Sequence, residues 1–297
     1  MAQSVSVCVP ALGKCINDCK TCCSKMHEAN YENKFYSSLC DHVRYLKDVK
    51  QRLEYCREKG CDVAILTGST EPQQDLNFLK EFYLLNSSLD KPFRDIEIQT
   101  TGALMNEDML GFLRELGVQT VAVSTFCINN DEINREINRT CDKNLTLKTL
   151  CQNIKKAGMN LRVCLNMTDH ILDTSNMEDK AVTPNKIFDI CTELGANQVT
   201  FRKMWASDDG SEQSEWIKEN CQKADKYIEE INEAIVKNGT YLNTLEYGAK
   251  RYAYQGISTV IDKDPQSTEV NENIKYYVIR QNGKVYSDWN SPASLVF

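Results

Sequence analysis

The 297-residue chain lacks an excess of basic side chains: 35 Lys and Arg stand against 42 Asp and Glu, a net charge of -7. That balance gives no electrostatic reason to expect stable binding to a phosphate backbone. No apolar run approaches the length needed to span a bilayer, and Met1–Pro10 has neither the basic region nor the apolar stretch of a secretory signal. A soluble, cytoplasmic protein with no membrane partner is expected. Low-complexity tracts and interdomain linkers are also missing, and 41% hydrophobic residues suffice for one large core. Histidine is scarce, and His42 and His170, without visible partners, read as structural.

Cysteine is plentiful. Fourteen are present, most of them scattered singly through helical or strand-like segments. In a reducing compartment such scatter is not a disulfide framework, so metal or cluster chemistry becomes the leading use for any that are grouped. Cys8, Cys40, Cys56, Cys61, Cys127, Cys141, Cys151, Cys164, Cys191 and Cys221 read as small buried hydrophobes.

One local pattern recurs four times. An amphipathic helical stretch ends in Gly and leads into a short β-type run: Gly60 before Val63–Leu66, Gly117 before Thr120–Val123, Gly158 before Leu161–Leu165 and Gly195 before Gln198–Phe201. With Val5–Val9 and Ile96–Ile98 as further strands, this predicts an α/β fold of six parallel strands with crossover helices. Two more units, needed for a full eight-fold barrel, are not found. Beyond a long helix expected from about Glu212 to Lys237, Gly256–Ile261, Ile274–Arg280 and Lys284–Tyr286 read as strands. The last two are joined by a hairpin at Asn282-Gly283. Asp262–Asn273 reads as an exposed loop. The expected organisation is a core over residues 1–210 with a C-terminal helix and β extension, 211–297, packed on it.

Between the first strand and the first long helix lies Cys15-Ile-Asn-Asp-Cys19-Lys-Thr-Cys22-Cys23, in a loop that also holds Gly13. Cys19 and Cys22 share a face if the segment turns helically, while Cys15 approaches from the preceding loop. A pure electron carrier would complete its cluster with a fourth thiolate. Three in this spacing leave one iron free for a small chelating ligand. Cys23 in place of Cys22 is a second register, and a zinc site completed by His27 is the alternative chemistry.

A CxxxCxxC motif directly after the first strand of a (βα)-repeat chain resembles the signature of the radical S-adenosylmethionine (SAM) superfamily, over roughly Val5–Lys203. The resemblance implies a partial (βα)6 TIM-like barrel with a C-terminal β extension. It also implies a [4Fe-4S] cluster on Cys15, Cys19 and Cys22, with SAM chelated at the open iron. Reductive cleavage of SAM would give a 5'-deoxyadenosyl radical that abstracts hydrogen from a substrate. A one-electron reductant such as flavodoxin or ferredoxin is implied as partner, and the substrate is a small molecule, nucleotide or peptide. The different class of function is an iron-sulfur or zinc-binding sensor or electron-transfer protein that does not turn over SAM.

In parallel βα proteins the ligand lies beyond the carboxyl ends of the strands. There, Thr67-Gly-Ser-Thr-Glu71-Pro72 resembles the family's Gly-x-Gly-Glu-Pro segment, with Thr70 where the second Gly is usual. The resemblance implies Glu71 for the SAM ammonium, with Gly68 allowing close approach. It implies Ser124 and Asn166 for the ribose or carboxylate, and Arg202 for the carboxylate or an anionic substrate group. Met204 and Trp205 line the substrate space or the core. Thr21 stands where the family usually has an aromatic residue against adenine, so adenine packing must come from elsewhere. No further cysteine group follows, which argues against an auxiliary cluster domain and against sulfur insertion.

Overall fold

In the computed structural model, residues 3–10, 14–26, 39–140, 142–245, 248–263, 269–270, 273–289 and 291–297 are described. The six expected strands form, as β1 (Ser4–Cys8), β2 (Val63–Thr67), β3 (Asp95–Thr100), β4 (Thr120–Thr125), β5 (Asn160–Met167) and β6 (Gln198–Lys203). Around them lie α1 (Cys23–Met26), α2 (Leu39–Glu58), α3 (Leu76–Ser87), α4 (Glu107–Glu115), α5 (Asp131–Asn138), α6 (Leu147–Lys156) and α7 (Pro184–Glu193). Gly60, Gly117, Gly158 and Gly195 all take left-handed φ values of 72–94°, where a side chain would be strained.

Alternation along the strands sets which face meets the helices. Val5, Val7, Leu66, Ile98, Val123, Val163, Val199 and Phe201 join the apolar core outside the sheet. Phe188 of α7 and Phe201 of β6 are fully buried there with ring centroids 5.4 Å apart, and each contributes about 1.5–3 kcal/mol relative to exposure. The opposite face carries Ser6, Thr67, Gln99, Ser124, Asn166 and Thr200, which line an internal cavity. Barrels of this kind ordinarily fill their interior with branched apolar side chains. Here the polar face leaves a space.

The C-terminal part departs from expectation in three places. The long helix is two, α8 (Glu212–Asn220) and α9 (Ala224–Asn238). The turn after β5 wedges between them: Asp169 donates its backbone N–H to Asn220 O at 2.8 Å and accepts from Lys223 N at 2.7 Å. Two strands that the sequence reading misses follow, β7 (Thr240–Thr244) and β8 (Lys250–Tyr254), ahead of β9 (Ile257–Asp262). The segment read as an exposed loop contains β10 (Glu269–Val270), paired antiparallel with β11 (Asn273–Ile274), which begins at its last residue, and the side chain of its first residue, Asp262, is only 14% exposed at the end of β9. β12 (Tyr276–Ile279) and β13 (Val285–Tyr286) form the expected hairpin, with Gly283 at φ 74°.

The main sheet runs β13-β12-β1-β2-β3-β4-β5-β6-β9-β8-β7. β12 lies parallel to β1 and β9 parallel to β6, so two further parallel strands flank the six. They arrive without crossover helices of their own, so counting helix-Gly-strand units does not find them. Asp262 at the carboxyl end of β9 and Lys275 just before β12 form an ion pair of 2.6 Å with side chains only 14% and 8% exposed. It links the two edges of the parallel sheet across the opening of a partial barrel.

Candidate functional site

The cysteine loop crosses the carboxyl ends of the strands and is tied down on both sides. Asp18 N and Lys20 N donate to Asn138 O and Ile137 O, at 3.1 and 2.9 Å, at the end of α5. On the other side Ile16 N donates to Gln74 Oε1 at 2.9 Å, and Gln74 Nε2 to Lys14 O at 3.1 Å. Asn130 caps α5 by accepting from Glu132 N at 2.9 Å, which fixes the helix that presents Asn138. Cys19 Sγ reaches Asn138 Oδ1 at 3.5 Å. Arg139 bridges Asp18 and Glu212, and Ser214 donates to Met26 Sδ at 3.2 Å, so α8 braces the loop and α1 from outside.

Glu71, buried, is the centre of this arrangement. One carboxylate oxygen accepts from Asn17 Nδ2 at 3.0 Å, Thr101 Oγ1 at 2.6 Å and Thr101 N at 3.1 Å. The other accepts from Thr100 Oγ1 at 2.5 Å and Gln73 Nε2 at 3.0 Å. Donors on both oxygens hold this carboxylate in one orientation. It joins the cysteine loop, the turn after β2 and the end of β3. Gly68 lines the cavity and is also packed against the chain leaving β1, where a Cβ would sit 3.0 Å from Val9 O.

Cys19, Cys22, Gly68, Thr70, Glu71, Ser124, Asn166 and Arg202 all line one cavity of about 410 Å³. Met204 and Trp205 line it too. Cys15 is half-buried behind the rim, where its Sγ accepts from Asn17 N at 3.4 Å. Thr70 Oγ1 is buried with no hydrogen-bond partner in the cavity's lining. Cys164, read as a small core residue, is buried but also faces the cavity from β5. His170 is structural, with its ring 3.0 Å from Asn220 Oδ1 and stacked on Trp216. Gly13, His27, Cys141 and the side chains of Cys40 and His42 lie outside the described residues.

Sequence reasoning missed Asn17, Gln73, Asn138 and Phe126. Phe126 follows the end of β4 and adds an aromatic surface to the cavity that Thr21 also lines. A buried amide such as Asn17 or Asn138 has no signature in sequence, because its role depends on a partner 54 or 119 residues away.

The thiols share one electrostatic neighbourhood. Burial pushes Cys19 well up, and Cys22, Glu71 and Cys15 push it further. Burial and then Cys23 push Cys22 up to about 12, and burial raises Cys15. Thiolates crowded together in this way call for a positively charged centre. Among the described residues no group of three His, Cys, Asp or Glu converges as a single ion requires. Three thiols of one loop, with Cys19 and Cys22 on the cavity and Cys15 half-buried beside it, are a donor set whose chemistry fits a thiolate-held cluster.

Residues 9–179 match the Radical SAM superfamily, and the chain belongs to that superfamily. Its members use a [4Fe-4S] cluster and SAM. Among solved structures, SuiB of Streptococcus suis bound to the precursor peptide SuiA is similar in fold, with TM-score 0.59 and 14% identity over 97% of this chain and 59% of that one. SuiB bound to SAM gives 0.59 and 12%, over 97% and 60% of the two chains. anSMEcpe with bound AdoMet and Cp18Cys peptide gives 0.59 and 13%, over 98% and 75%. This chain thus spans less than two thirds of the length of SuiB. No curated protein matches the sequence.

Proposed function

We propose that the chain is a radical SAM enzyme in which Cys15, Cys19 and Cys22 hold a [4Fe-4S] cluster. Bound there, the cluster supplies the electron that cleaves SAM to methionine and a 5'-deoxyadenosyl radical, which takes hydrogen from the substrate. The observation that carries this reading is the opening of the cysteine loop onto the same cavity as Thr70, Ser124, Asn166 and Arg202.

On this reading Ser124 and Asn166 meet the ribose or carboxylate of SAM, and the Thr70 hydroxyl gains the partner it lacks. Glu71, Gly68 and the backbone around them form the shelf for the ammonium end. Phe126 supplies the apolar surface for adenine that Thr21 does not. The walls exclude water from the reacting atoms. Residues 1–210 form the core of this machinery, and 211–297 close its substrate side. An electron carrier or sensor has no use for a cavity of this size beside its thiols.

A one-electron donor such as flavodoxin or ferredoxin and a reducing, cytoplasmic setting belong to the same proposal. Among the described residues no helix is long and apolar enough to cross a membrane. The substrate is a small molecule, a nucleotide or a peptide; SuiB and anSMEcpe were each solved with a peptide bound. The test is anaerobic reconstitution followed by dithionite reduction with SAM. Formation of 5'-deoxyadenosine in the native protein, lost in Cys15→Ala, Cys19→Ala and Cys22→Ala, supports the proposal. Turnover that survives all three substitutions sinks it.

A further inference from the structure

The cavity's charges do not cancel. Of the cations that line it, Arg162 is paired with Glu97 at 2.5 Å, Lys203 with Asp225 at 2.7 Å and Lys275 with Asp262 at 2.6 Å. Glu71 is satisfied by neutral donors. Arg202 and Arg251 are different: among the described residues neither makes an ion pair or a side-chain hydrogen bond, and Arg202 Nε is buried with no partner. A guanidinium stays charged under any ordinary condition and presents its donors as a planar fork matched to carboxylate and phosphate.

The two are neighbours by register. Arg202 pairs with Asn166 on one side and Asp262 on the other, and Arg251 on β8 pairs with Val260 of β9. Two strand spacings and two residues separate them, on the order of 12 Å between Cα atoms, and both side chains face the cavity. Trp289 and Tyr276 of the C-terminal extension line the same cavity. Asp262 and Glu97 lie close enough to act on Arg202 electrostatically, but their ion pairs are with Lys275 and Arg162.

We propose that Arg202 and Arg251 form a subsite for an oxyanion of the substrate, a carboxylate or phosphate, and that the C-terminal strands exist in this chain to build it. The inference rests on the radical SAM reading, since it places the anion beside the SAM-binding end of the cavity. SAM carries a carboxylate of its own, which makes it the other source of the same chemistry. Arg251 separates the two: it belongs to the extension, on β8, two strands from β6 in the sheet.

The experiment titrates reconstituted protein with inorganic phosphate at fixed ionic strength, without SAM and with SAM at saturation, and follows tryptophan emission. A saturable change is expected in both conditions. Its half-saturation should rise at least tenfold in Arg251→Gln and severalfold in Arg202→Lys, which keeps the charge and loses the fork. Far-ultraviolet circular dichroism identical to that of the native protein establishes that each variant is folded. A response matched by chloride, competitive displacement of phosphate by SAM, or unchanged phosphate binding in Arg251→Gln overturns the proposal. So does a loss of SAM affinity in Arg251→Gln as large as the loss for phosphate. Cleavage of SAM by the native protein is scored separately, so failure of the radical SAM reading is distinguishable from failure of the subsite.

Discussion

Asn17 donates its side-chain amide to Glu71 at 3.0 Å and to Thr101 Oγ1 at 2.8 Å, clasping the loop that carries the cysteines to the ends of β2 and β3. The clasp lies between Cys15 and Cys19, so the spacing of those two thiols depends on an amide that is not itself a ligand. Asn17→Ala leaves Glu71 short of a donor in a buried setting, at a cost of about 1–3 kcal/mol. Urea denaturation should show that loss, and iron retained after desalting should fall below the native ratio. Native iron content with a native midpoint in Asn17→Ala contradicts a positioning role.

Gly68 holds the end of β2 against the chain leaving β1. The added methyl of Gly68→Ala meets Val9 O at 3.0 Å, and relief requires the two strand ends to part, costing about 1–3 kcal/mol. Weaker SAM binding should accompany the lower stability, because Thr70 and Glu71 ride on the same turn. Calorimetric titration of SAM checks this, and native affinity in the variant removes Gly68 from the account.

The ion pair that draws β9 and β12 together is almost completely buried. Lys275→Met strands Asp262 in the barrel wall, where loss of one partner costs about 3–5 kcal/mol. The paired change Lys275→Met with Asp262→Leu should recover part of it, since neither member of the pair is then left facing the other's apolar replacement. Denaturant midpoints of the single and double variants decide the matter; equal midpoints mean the edges are held by something else.

Asp209 sits before α8, which braces the cysteine loop. Hydrogen bonding from Ser207 and from the Ser211 backbone and side chain holds its carboxyl well below the usual carboxylate range. A depressed folded-state value contributes stability above the unfolded value, and that contribution fades as pH falls from there toward the folded one. The stability gap between native protein and Asp209→Ala should therefore be constant from neutral pH down to about 4 and narrow in stronger acid. A gap that widens with acidification contradicts the assignment.

The repeated scaffold was legible because its signals are local: Gly158 closes a helix within the residues that precede β5, and the apolar stripe of Leu147, Leu150, Cys151 and Ile154 lies within α6. The cysteine loop was legible for the same reason. β7 was not, since Thr240–Thr244 is exposed throughout and carries no apolar alternation. The flanking roles of β9 and β12 are facts of pairing, and nothing within Ile257–Asp262 says that its partner is β6. Strand-end residues such as Ser124 and Asn166 could be named from their position in the βα unit. Arg251 could not, because the cavity it lines is completed by a strand whose placement is long-range.

The partner of β1 on its outer edge is β12, so Val5 waits for Tyr277. At about 5–20 residues per second of synthesis, the first strand spends on the order of tens of seconds with that edge bare. Throughout this interval the wall of the barrel keeps an open seam along β1, which the last strands to emerge must close.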